Sequence, residues 1–102
     1  MSIKDIVNRC EGFDWDDGNL FKNQKKHDVS YSECEQIFFN IPLLIADDFA
    51  HGNDEEDRYL ALGRTDQNRR LYLVFTIRGN SIRVISARDM TRIERLIYEK
   101  SK

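Results

Sequence analysis

Apolar and polar residues alternate most clearly in the second half of the chain. Tyr59–Arg64 places Leu60, Leu62 and Arg64 on one face of a strand. Arg70–Arg78 is rich in β-forming residues, with Leu71, Leu73, Phe75 and Ile77 on a common face. Gly79-Asn80 is a two-residue hairpin signal joining that run to a further strand over 82–87. Residues 43–47 predict an earlier strand, and 48–57 a polar loop. The short connections imply an antiparallel meander of three to four strands.

Helical spacing governs the rest. Asp16 or Asp17 offers an N-cap for a helix running to about His27, anchored by Leu20 and Phe21. Ser30-Tyr31-Ser32-Glu33 is a capping box, with Val29 and Cys34 at the two positions of a hydrophobic staple. That helix should end before Asn40-Ile41-Pro42, because the residue preceding proline avoids helical angles. Thr91-Arg92-Ile93-Glu94 is a second capping box, opening a helix whose apolar stripe is Ile93, Leu96 and Ile97. The first fifteen residues show no sustained periodicity, although Glu11-Gly12-Phe13-Asp14-Trp15 is compatible with a short strand.

The expected fold is therefore α+β: two N-terminal helices, an antiparallel sheet of three to four strands, and a C-terminal helix, with the helices on one sheet face. A length of 102 residues suits a single domain spanning 1–102. The chain has 1 proline and 5 glycines, and no repeat or linker-like stretch interrupts it.

Charge changes the picture. The formal net charge is only -2. Residues 1–57 carry five basic groups against fourteen acids, and residues 58–102 carry eleven against four. The halves are therefore -9 and +7. Nine of the eleven are arginines, whose planar fork of donors suits phosphate. Such asymmetry is compatible with an anionic partner and equally with halves that neutralise one another.

Cys10 and Cys34 match no zinc or redox spacing and read as reduced thiols. The N-terminus does not resemble a signal peptide, and the longest apolar run, at 41–46, is too short to cross a bilayer. A cytoplasmic protein without membrane contact is expected.

No glycine-rich phosphate loop, HExxH or CxxC spacing, or nucleophile elbow is present, so neither a metal nor a cofactor is expected. What remains is a set of arginines on strands or at their ends: Arg64, Arg83 and Arg88. One reading pairs them with acids such as Glu55, Glu56, Asp57 or Asp89 in a structural network. The other places them in a cleft that holds a phosphodiester, with Glu56 or His27 handling protons.

Several motifs resemble the BrnT toxin family. Phe13-Asp14-Trp15-Asp16, Asn23 and Lys26-His27-Asp28-Val29-Ser30-Tyr31 look like its opening signature. Asp57-Arg58-Tyr59 with Gly63 continues it, and Arg83-Val84-Ile85-Ser86-Ala87-Arg88 with Thr91, Glu94-Arg95 and Tyr98 looks like its close. The family usually has lysine where this chain has Asn19. The resemblance implies a RelE-like ribonuclease fold and a type II toxin that halts translation. It also implies a cognate DNA-binding, BrnA-like antitoxin in a hetero-oligomer.

RNA can be cut without metal when its own 2′-OH attacks the adjacent phosphate, leaving the protein to position the strand, accept a proton and stabilise charge. On that reading Arg64 and Arg83 stabilise charge, Glu56 or His27 is the general base, and Lys26 and Arg88 contact the backbone. Trp15 and Tyr98 are candidate stacking platforms. The alternative is a catalytically weak binding module whose basic face docks the antitoxin or another anion.

Overall fold

Alternation in the second half builds a meander at the centre of the molecule. A computed structural model of the chain describes residues 3–15, 27–47 and 57–101. In chain order these form α1 (Ile3–Asn8), β1 (Gly12–Phe13), α2 (Tyr31–Ile37), β2 (Leu44–Asp47), β3 (Tyr59–Arg64), β4 (Arg70–Arg78), β5 (Ser81–Asp89) and α3 (Arg92–Lys100). The sheet has five strands in the order β1-β5-β4-β3-β2. Strands β2 to β5 pair antiparallel, as the short connections predict, and β1 adds to β5 in parallel. The expected antiparallel sheet of three to four strands is thus a five-stranded mixed one. The helix expected over 16–27 lies outside the described residues except for His27.

The β3–β4 and β4–β5 hairpins have distinct turn chemistry. Gly79 adopts a φ of 58° between the paired residues Arg78 and Ser81, a left-handed value that glycine reaches without a Cβ clash. The β3–β4 turn closes by Asn68 N–H donating to the Thr65 carbonyl, with Asn68 at φ 67° and Thr65 N–H donating to the Arg69 carbonyl.

Both capping boxes form: the Ser30 and Thr91 hydroxyls accept from Glu33 and Glu94 N–H, and each glutamate reaches back. The staple residues Val29 and Cys34 are fully buried.

One face of the sheet carries the core. Leu71, Leu73, Phe75, Val84 and Ala87 pack there against Val7 of α1 and Cys34 and Ile37 of α2. Burial raises the Cys34 thiol pKa to about 12, so it is an inert packing group. Helix α3 departs from the expected arrangement. Its Glu94 and Glu99 ion-pair with Arg88 and Arg70, whose neighbours Ala87 and Leu71 point into the core. It therefore covers the opposite, outer face. Tyr98 and Met90 are buried outside the main cluster.

Gly63 sits where α2 crosses β3. A Cβ built there would lie 2.8 Å from Ile37 Cβ, inside any real contact. Gly63→Ala is expected to destabilise the fold by about 1–3 kcal/mol through overpacking. A urea midpoint unchanged from wild type would refute this. Among the described residues, no helix is long and apolar enough to cross a membrane.

Candidate nucleic-acid interface

The outer face is set by strand register. Arg83 pairs with Thr76, and Arg88 pairs with Tyr72. Five residues apart on a regular strand, the two arginines would point to opposite faces. The register shifts between Val74 and Phe75, whose partners are Ser86 and Val84, leaving Ile85 as the extra residue of a β-bulge. The bulge brings Arg83 and Arg88 onto one face while keeping Ile82, Val84 and Ala87 buried on the other. Arg64, opposite Arg70, stands on the same outer face.

These arginines form a track rather than a cluster. From Arg70, the partner of Arg64, to Thr76, the partner of Arg83, is six residues along β4. That is about 20 Å, too far for one phosphate to bridge. Arg64 donates from Nε to the Ile41 carbonyl at 2.9 Å. It lines an open cavity with Pro42, Asn68 and Ser101. Arg83 lies 3.6 Å from the Asp14 carboxylate. Arg88 makes a two-pronged pair with Glu94, at 2.8 and 3.0 Å, while its guanidinium stacks 3.9 Å from the Tyr72 ring centre. That pair holds the Glu94 carboxyl below its ordinary range, outweighing the opposite effect of burial.

The remaining expected site residues are dispersed. His27 does not join the arginine track. Its carbonyl accepts from Arg69, which places it near Asp89 at the end of β5. Lys26 and Glu56 lie outside the described residues. The backbone carbonyl of Asp57, which follows Glu56, accepts from Thr76 Oγ1 at 2.6 Å, and Thr76 is the partner of Arg83. Trp15 is half-buried, edge-on to Tyr31 at 6.2 Å, with its indole Nε1 buried and unpaired. Tyr98 cannot serve as a stacking platform. It is 0% exposed and its hydroxyl donates to the Pro42 carbonyl at 2.6 Å, so the ring offers no face to a base.

Arg69, at the end of the turn into β4, is a structural hub. All five of its N–H donors are used: Nε and Nη2 on Asp89, Nη1 on Glu33 and the Asp28 carbonyl, and Nη2 also on the His27 carbonyl. Asp28 is held at φ 54° as it delivers that carbonyl. Arg69 thereby ties the entry to α2, its capping glutamate and the end of β5 together. Nothing in its local sequence signals this, because both acid partners are distant in the chain.

Among the described residues, no three of His, Cys, Asp and Glu converge in a way that could hold a metal ion. Compared with known families, residues 15–94 match the model for the ribonuclease toxin, BrnT, of type II toxin–antitoxin systems. No curated protein matches the sequence.

Proposed function

Because the chain belongs to the BrnT family of ribonuclease toxins of type II toxin–antitoxin systems, we propose that it cuts RNA in the cytoplasm without a metal ion, using the outer sheet face to hold the strand. The observation that supports this most directly is the co-facial run of Arg64, Arg70, Arg83 and Arg88. A track of about 20 Å is long enough for an extended strand, with Arg64 and Arg83 at its two ends and Arg70 and Arg88 between them paired to Glu99 and Glu94.

The chemistry belongs at the Arg83 end. There the RNA 2′-oxygen attacks the adjacent phosphorus and the bond to the 5′-oxygen breaks, giving a 2′,3′-cyclic phosphate and a 5′-hydroxyl. Arg83 stabilises the charge gathering on the phosphoryl oxygens. Glu56 takes the 2′-OH proton, and solvent water protonates the departing 5′-oxygen. The hydrogen bond from Thr76, the partner of Arg83, to Asp57 favours Glu56 over His27, whose backbone is bound at the far end of β5. Arg64 and Arg88 hold flanking phosphates, with Lys26 a further backbone contact and Trp15 a stacking group beside Asp14.

Purified protein is expected to cleave RNA in excess EDTA and to leave 2′,3′-cyclic phosphate ends. Cleavage restored only by magnesium, or products with 5′-phosphates, would overturn the mechanism. Absence of any cleavage, with tight antitoxin binding retained, would favour the binding-module reading. In the cell a BrnA-like, DNA-binding antitoxin would hold the toxin in a hetero-oligomer.

A further inference from the structure

The apolar stripe of α3 does not face the core. Ile93, Leu96 and Ile97 are 70%, 56% and 51% exposed, whereas Tyr98 is fully buried. The helix is rotated so that Glu94 and Glu99 meet Arg88 and Arg70 and Tyr98 reaches Pro42. Beside the stripe, the outer sheet face opens into a groove of about 330 Å³ lined by Leu44, Ala46, Leu60, Leu62, Tyr72 and Ile97. Helix and groove form one apolar surface, of the kind that marks an interaction site.

We propose that this surface is where the antitoxin docks, through an amphipathic helix that carries carboxylates beside its apolar face. The proposal rests on the reading of the chain as the toxin of a toxin–antitoxin pair. Charge sets the chemistry of the partner. Arg92 and Lys100 flank the apolar stripe at helical spacing. Among the described residues, no carboxylate lies within ion-pair distance of either. The acids of α3 itself are turned inward to Arg88 and Arg70, leaving the outward positive charge unmatched. A partner with acids beside its apolar face would satisfy both.

Shape sets the kind of segment. Most of the groove floor is side chains of the outer sheet face, so it calls for a packed helix more than a strand added at the β2 edge. Helix α3 crosses the strands, from Arg88 on β5 to Pro42 before β2, and the nine residues of β4 run about 30 Å against about 10 Å for the width of a helix. A second helix therefore fits alongside α3. It would lie next to Ser86 and Arg83 on the same face and so obstruct the proposed RNA track.

The test uses the protein encoded by the reading frame beside this one, titrated against the full chain by calorimetry. Wild type is expected to bind it. The pair Ile93→Asp with Ile97→Asp should weaken binding at least about 100-fold by burying charge in the contact. Arg92→Glu with Lys100→Glu should weaken it at least about 10-fold and flatten its salt dependence. All four positions are exposed, so both variants should keep the wild-type melting temperature and circular dichroism. Affinities within twofold of wild type, or no binding by wild type, would overturn the proposal. So would a dimer of the chain alone that the apolar pair dissolves while antitoxin affinity stays unchanged, since the occupant would then be a second copy. RNA assays separate this from the activity itself: both variants should cleave like wild type yet resist inhibition. If no form cleaves RNA, the ribonuclease reading fails and the affinities alone decide the docking.

Discussion

Arg83→Ala is expected to lower RNA cleavage by about 10²–10³-fold, the cost of removing one preorganised donor from developing phosphoryl charge. The loss should fall mainly on kcat, since the interaction strengthens as charge builds in the transition state. Arg64→Ala is a contrasting control. About 20 Å along the track, its guanidinium meets a different phosphate, so its removal should raise KM several-fold with kcat nearly unchanged. Arg83→Ala should also fold normally. Its ion pair with Asp14 spans 3.6 Å with both side chains partly exposed, and such pairs are worth no more than about 1 kcal/mol. Single-turnover kinetics on both variants with melting curves check this. A kcat within threefold of wild type for Arg83→Ala, with the fold intact, would move the chemistry away from that end of β5.

That assignment depends on the Ile85 bulge, which marks where the sequence stops being readable. Elements specified by neighbours came through: the ends of β3 and β4, the Gly79-Asn80 turn and both capping boxes form as their residues dictate. Features requiring distant partners did not. Alternation alone puts Arg83 and Arg88 on opposite faces, and only pairing with β4 reveals the shift that unites them. The parallel match of Gly12 to Ser81 has no local signature. Glu33 was legible as a capping residue, but its second role, accepting from Arg69, was not, because 36 residues separate them. The stripe on α3 was legible as a stripe, but the face of the sheet that its helix covers was not. Periodicity identifies an apolar face without saying what covers it, and burial of Tyr98 fixed the helix rotation instead.

Arg69→Ala is expected to destabilise the protein by about 2–3 kcal/mol, the range for hydrogen bonds to charged groups that lose their partner. It would remove a guanidinium that donates to two carboxylates and two backbone carbonyls from three parts of the chain. Arg69→Lys should recover less than half of the loss, since an ammonium has three donors and no planar fork. The pH dependence follows from the acids. Hydrogen bonding to Arg69 holds the Asp89 carboxyl below its ordinary range. Burial pushes Glu33 upward, but the Ser30 backbone and Arg69 more than offset it, and its carboxyl also ends low. A carboxyl depressed in the folded state stabilises the protein fully above its unfolded value, near 4, and loses that contribution as pH falls through the lower folded one. The gap in urea midpoint between wild type and Arg69→Ala should therefore be widest near pH 7 and narrow steadily below about pH 4. A gap that stays constant down to about pH 2 would mean that Arg69 stabilises the fold through the His27 and Asp28 carbonyls alone, since those do not titrate.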